Sequence, residues 1–230
     1  MPKAIKKKAA KPARTEEDVK NVIHGAKEFI DKRRKLLFPV LIAAVAIAVG
    51  LAGFSLYRSN LKNQAAALEY DGYKIYYGLY QKQPLQKAEQ YQKALEKFQK
   101  AYDMMKSPYS LFYIASCYYD MGRYDDALKT LNELNQRFPD DESFVPLSYY
   151  KMAVIDLKKG DKESALKILD TLYNYRTGSF KDLALVESAR ILDTMGKKDD
   201  SLKKYEEVTK NFPDSPFIDE AKAKIEAKKS

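Results

Sequence analysis

An all-α fold, in which a single transmembrane helix precedes a stack of helical hairpins, is predicted by three observations. Residues 36–57 form one uncharged, apolar run. The chain holds only nine Gly and nine Pro among 230 residues and is rich in Ala, Leu, Lys, Glu and Tyr, a mix that favours helix over sheet. Gly122, Gly160 and Gly196 recur 38 and then 36 residues apart, each between two amphipathic segments, which is the mark of a repeated supersecondary unit.

The chain opens with a Lys/Ala/Pro-rich stretch, residues 1–14, whose composition predicts disorder. Residues 15–35 are predicted as an amphipathic cytoplasmic helix. Thr15 is a candidate N-cap, Glu16, Glu17 and Asp18 supply acids to the first turn, and Val19, Val22, Ile23, Ala26, Phe29 and Ile30 follow at spacings of three and four. Such a helix either lies on the inner membrane surface or docks a cytoplasmic partner.

Leu36 to Tyr57 then spans about 33 Å at 1.5 Å per residue, enough for a hydrocarbon core of about 30 Å. The run is preceded directly by Lys32, Arg33, Arg34 and Lys35, whereas only Arg58 and Lys62 follow closely. This asymmetry predicts a cytoplasmic N-terminus and a C-terminal domain across the membrane. A cleaved signal peptide is disfavoured, because the charged leader is 35 residues long and the apolar run exceeds about 15. Pro39 is expected in the first turn of this helix, where a missing N–H does least harm.

The net charge of +9 is concentrated in the tail: residues 1–35 carry 12 Lys or Arg against 5 Asp or Glu, leaving 29 against 27 beyond them. The folded part therefore lacks the basic excess of a nucleic-acid-binding domain, and no nucleic-acid partner is expected. One cysteine, Cys117, and one histidine, His24, exclude an internal disulfide and leave no Cys- or His-rich metal site. No metal, other cofactor or catalytic residue is predicted. There is no phosphate-binding glycine loop, nucleophile elbow or metalloprotease motif. The Asp125-Asp126, Asp140-Asp141 and Asp199-Asp200 pairs fall at hairpin turns or repeat ends, where they read as caps and solvated charge. Cys117 reads as a buried, inert thiol.

From each glycine the same offsets recur. After Gly122 come Tyr124, Ala127, Leu128 and Pro139; after Gly160, Ala165 and Leu166; after Gly196, Ser201, Leu202 and Pro213. A glycine ends the first helix by accepting left-handed angles, a small residue admits close helix approach, and a proline stops the second helix. With Leu111, Ile114, Ala115 and Tyr118, then Tyr149, Met152 and Ala153, then Leu185, Ala189 and Leu192, this pattern resembles the tetratricopeptide repeat. The resemblance covers about 170 residues. It implies a right-handed superhelix over residues 58–230, with hairpins at about 60–106, 108–141, 146–178 and 182–213 and a capping helix at 215–228. The first unit is degenerate. It has Ala94, Phe98 and Ala101 on its second helix, lacks the turn glycine, and inserts Gln81 to Gln86.

In that family, first-helix residues not used in packing line a protein-binding groove. By position these are Tyr109, Phe112, Ser116, Tyr119 and Asp120, then Leu147, Tyr150, Val154 and Leu157, then Leu183, Val186, Arg190 and Asp193. The set is apolar and aromatic for a solvent-facing surface, which suits extended peptides. Alternatively, several of these tyrosines pack against a neighbouring hairpin or against the Tyr-rich stretch containing Tyr70, Tyr73, Tyr76, Tyr77 and Tyr80. Self-association through that stretch is also open.

A basic tail, an N-terminal anchor and a tetratricopeptide domain beyond it, with the junction Lys32-Arg33-Arg34-Lys35-Leu36-Leu37-Phe38, resemble the ancillary Sec-translocon subunit (YfgM-like) family of bacterial inner membranes. The resemblance implies a non-enzymatic scaffold whose partners are translocon subunits, periplasmic chaperones or exported clients. The alternative is an assembly adaptor for cell-envelope or division machinery that binds one dedicated partner.

Overall fold

The computed structural model describes residues 16–79, 85–178 and 180–229, which divide into two compact units, 1–59 and 60–230. The tail 1–14, the candidate cap Thr15, Tyr80 and most of the 81–86 insertion lie outside the described residues. All regular structure among the described residues is helical.

Helix α1, Glu16–Tyr76, is continuous. The predicted amphipathic, membrane and first soluble helices are therefore one helix. Pro39 consequently lies in the helix interior rather than in a first turn; it removes one backbone donor there, and the helix tolerates the loss. The apolar part of α1 is long and apolar enough to cross a membrane, with a mean hydropathy of 2.6 over its best 18-residue window and none of that window buried among the described residues. Leu36, Phe38, Leu41, Val45, Val49 and Phe54 are all exposed, as are Val22, Ile23, Phe29 and Ile30 on the preceding turns.

The second unit begins with the last turns of α1 and continues through α2 (Lys87–Met104), α3 (Pro108–Asp120), α4 (Tyr124–Arg137), α5 (Phe144–Lys159), α6 (Lys162–Tyr173), α7 (Lys181–Thr194), α8 (Lys198–Asn211) and α9 (Ile218–Lys229). Successive helices from α2 onward pack on one another, and α3 also touches α5.

Local chemistry sets the helix ends. Pro108 opens α3 behind Ser107, whose Oγ accepts the Ser110 N–H at 3.0 Å. Asp161 caps α6 by accepting the Ser164 N–H at 2.9 Å, and Asp141 receives the Phe144 N–H at 2.7 Å ahead of α5. The turns after α3, α5 and α7 each place a glycine at positive φ, +74° at Gly122, +83° at Gly160 and +75° at Gly196, where a Cβ would be strained. α4 and α8 stop two residues before Pro139 and Pro213.

The small positions behave as their spacing predicts. Ala127 and Ala165 are fully buried, and Ser201, at the same offset in the last hairpin, is 1% exposed. In the degenerate first hairpin Ala94, Phe98 and Ala101 are fully buried. Gly72 lets α1 approach α2, since a Cβ there would stand 2.9 Å from the Phe98 ring.

Candidate protein-binding face

The faces of α3, α5 and α7 that carry the predicted groove residues differ along the stack. On α3, Tyr109 and Phe112 are half-buried in an aromatic cluster. Tyr113 is its hub, with ring centroids 4.7 Å from Tyr109, 5.0 Å from Phe98, 5.7 Å from Phe112 and 5.8 Å from Tyr73. Phe144 reaches Phe112 at 5.5 Å and Tyr109 at 5.7 Å. Burial pushes the Tyr109 phenol up to about 12 and raises Tyr113 further, helped by hydrogen bonding to Tyr77. The tyrosines of α1 thus meet α3, and Tyr109 serves packing while keeping an exposed edge.

Two turns along, Tyr119 is half-buried against Tyr124 at 5.7 Å. Lys151 of α5 reaches across to α3, with its ammonium 5.1 Å from the Tyr119 ring and 5.4 Å from that of Phe112. Asp120 is exposed and accepts a short hydrogen bond from the Tyr76 hydroxyl, which fastens α1 to the end of α3. Leu147, Tyr150, Val154 and Leu157 are half-buried on α5. Tyr150 is raised by burial and by nearby Glu187.

Two predicted groove residues have little surface to offer. Ser116 is 2% exposed and donates to the Phe112 carbonyl at 2.8 Å, and Val186 is fully buried in the core of the last hairpin. Leu183 is half-buried. Arg190 is engaged by Glu187 and Glu220, its Nε 2.9 Å from Glu220 Oε1. Asp193 pairs with Lys224 at 2.8 Å. Helix α9 therefore already contacts these two groove positions.

Sequence reasoning missed Tyr113, Lys151 and Glu69. Glu69 accepts from the Ser107 and Ser110 hydroxyls at 2.5 Å and 2.6 Å, which locks α1 to the start of α3. The i, i+4 spacing of Tyr109 and Tyr113 was visible, but not the partner helix that makes Tyr113 a hub. Cys117 is fully buried, and burial pushes its thiol up to about 12, which disfavours the nucleophilic thiolate.

Cavities open between helices of the second unit. One, about 300 Å³, lies between α6, α7 and α8 beside Leu169, Tyr173, Leu185 and Lys204. Another, about 580 Å³, lies between α8 and α9 beside Lys198, Tyr205 and Lys224. Both lie away from the aromatic face of α3 and α5.

These hairpins define an all-helical repeat protein. More particularly, the chain carries tetratricopeptide repeats: one tetratricopeptide repeat model matches residues 85–145 and a second matches residues 183–215. No curated protein matches the chain by sequence. Among solved structures, a MamA RS-1 ArsTM double mutant is 12% identical with a TM-score of 0.50, covering 66% of this chain and 77% of that one. Nearly identical TPR-like repeats of a Podosopora anserina kinesin light chain are 14% identical with a TM-score of 0.50, covering 73% and 84%. At these identities the likeness shows the fold. Tetratricopeptide-repeat proteins mediate protein–protein contacts and are generally non-enzymatic.

Proposed function

We propose that this chain is a membrane-anchored interaction scaffold of the bacterial cell envelope, which holds extended segments of partner proteins beside the Sec translocon. The observation that carries the binding reading is the aromatic face of α3 and α5. There Phe112, Tyr119 and Tyr150 keep partly exposed rings although the core beneath them is complete. Large rings with a polar rim give contact area at small conformational cost. Tyr109, Leu147, Val154, Leu157 and Leu183 extend the surface, and a right-handed superhelical stack would align them into one groove.

The anchor reading is supported by the apolar part of α1, none of whose best 18-residue window is buried among the described residues. The charge flanks favour a cytoplasmic N-terminus and a periplasmic repeat domain. The placement beside the translocon, with chaperones and exported clients as partners, rests on the resemblance of the tail–anchor–repeat arrangement.

Photo-crosslinking in native membranes, from probes at Phe112, Tyr119 and Tyr150, tests the reading. Adducts to channel subunits, chaperones and a spread of exported chains are expected. A single sharp adduct to one wall or division protein would instead select the dedicated adaptor. Protease added to intact spheroplasts should digest the repeat domain and spare the tail; the reverse pattern would overturn the topology.

A further inference from the structure

We propose that Lys151 is the specificity-determining residue of the α3–α5 face, receiving the side-chain carboxylate of an Asp or Glu within an otherwise apolar, extended segment of the partner. The inference rests on reading that face as a protein-binding surface. The lysine is half-buried, with its ammonium between the Phe112 and Tyr119 rings at 5.4 Å and 5.1 Å. The rings supply attraction but no hydrogen-bond acceptor.

Among the described residues the Lys151 ammonium makes no hydrogen bond or ion pair. Other cations on the second unit differ: Arg190 is held by Glu187 and Glu220, Lys224 by Asp193, and Lys159 by Asp125. Asp120, the nearby carboxylate on α3, already accepts from the Tyr76 hydroxyl. Burial draws the Lys151 ammonium below its ordinary value, and the Asp120 carboxylate nearby offsets only part of that shift, as expected of a cation that has lost water without gaining a direct ion pair. A carboxylate arriving there would form charge-assisted hydrogen bonds in a site from which water is partly excluded.

The surroundings favour a carboxylate in mid-chain over a terminal one. Apolar and aromatic groups flank Lys151 on both sides, Phe112 and Tyr119 along α3 and Leu147 and Val154 along α5, so a bound segment has surface to follow in each direction. The ligand chemistry is thus an acidic side chain with large apolar neighbours.

The test uses the full chain in detergent micelles and three fluorescent peptides of leucine and phenylalanine. One is capped with a central glutamate, one is capped with a central glutamine, and the third is the glutamine peptide with a free terminal carboxylate. The glutamate peptide is expected to bind about tenfold tighter than either glutamine peptide. Lys151→Met should erase that ratio while leaving the glutamine peptides' affinity in place, and Lys151→Arg should keep it; unchanged melting temperatures establish that both variants fold. Equal binding of glutamate and glutamine peptides would overturn the role of Lys151 alone, as would a ratio that survives Lys151→Met. An equal gain from the free terminus would overturn the mid-chain assignment. If none of the peptides binds, the protein-binding face itself fails, and this inference with it.

Discussion

The first two hairpins and the last hairpin with its cap close the same kind of helix-to-helix junction with different chemistry. Between α1, α2 and α3 the seam is aromatic at its centre, with the Glu69 and Asp120 carboxylates accepting neutral hydroxyls at its ends: Tyr113 stacks on Phe98 at 5.0 Å and meets Tyr76 and Tyr73 edge-on at 5.7 Å and 5.8 Å. Between α7, α8 and α9 a small apolar core that includes Val186, Val208 and Ala221 is rimmed by a polar, ion-paired edge. Glu220 receives Arg190 and the Tyr205 hydroxyl, Lys224 reaches Asp193, and the Ser215 hydroxyl donates to Asp182 at 2.7 Å. An aromatic seam draws on buried area and ring geometry, which neither salt nor pH changes much. An ion-paired seam near solvent weakens as salt screens it. The apolar end of the face is also the one left partly uncovered, while the charged end has its own helix laid over it.

The largest effect that would break this comparison lies in the aromatic seam. Phe98 is fully buried, stacks on Tyr113 and touches Gly72. Phe98→Ala should destabilise the repeat domain by about 3–5 kcal/mol, through lost transfer energy and a residual cavity. Gly72→Ala should cost about 1–3 kcal/mol, because its Cβ must displace a ring that has no room to move. Both are read by denaturant unfolding of the chain in micelles. If Phe98→Ala cost no more than an exposed alanine substitution, the seam would not hold the first hairpin.

How much of this was legible follows from which interactions are local. The turn glycines, the stop prolines and the small residues at Ala127, Ala165 and Ser201 are dictated by neighbours within one hairpin, so spacing alone revealed them. The groove set depends on how one hairpin sits on the next, which spacing does not encode. Ser116 and Val186 were expected at the surface and are buried, Val186 in a cluster with Tyr205 and Val208 of the next helix. Arg190 and Asp193 were read as open and are paired to a helix about 30 residues away. Lys151 passed unnoticed because a lysine on a helix reads as solvated until the two rings beside it are seen. The continuity of α1 was half legible: residues 58–71 contain neither Pro nor Gly, which permits an unbroken helix, but nothing in the spacing decides it.

A smaller effect sharpens the ionic side. Hydrogen bonding to Arg190 leads the causes that hold the Glu220 carboxyl below its usual 4.5. A depressed folded value means that the stabilisation is present above the unfolded value and is lost as pH falls toward the folded one. Glu220→Gln should therefore loosen α9 at pH 7 by about 1 kcal/mol or less, given the partial exposure of both partners. It should have little effect at strongly acid pH, where the native glutamate is itself protonated. Hydrogen exchange of the α9 amides reports this directly. High salt should accelerate that exchange in the native chain and leave the α2–α3 amides alone; equal acceleration at both seams would remove the contrast between them.

The smallest expected effect tests one register read three ways. Four residues before each turn glycine stand Tyr118, Asp156 and Leu192. Tyr118 is half-buried, accepts from Gln99 at 3.2 Å and lies under Arg123, and Leu192 is 8% exposed. Asp156, equally buried at 8%, puts a carboxylate in a position its counterparts fill with apolar surface. Burial, with Asp161 nearby, raises its carboxyl above the usual 3.8, and Lys159 offsets only part of this. Because the folded value is raised, the folded chain gains stability as pH falls through it, and at neutral pH the ionised group weighs against folding. Asp156→Asn should consequently raise the melting temperature at pH 7, by a gain of under about 1 kcal/mol, and the gain should fade near pH 4. A loss of stability at pH 7 would mean that the carboxylate makes a favourable interaction, and that the middle hairpin belongs with the ionic end of the stack.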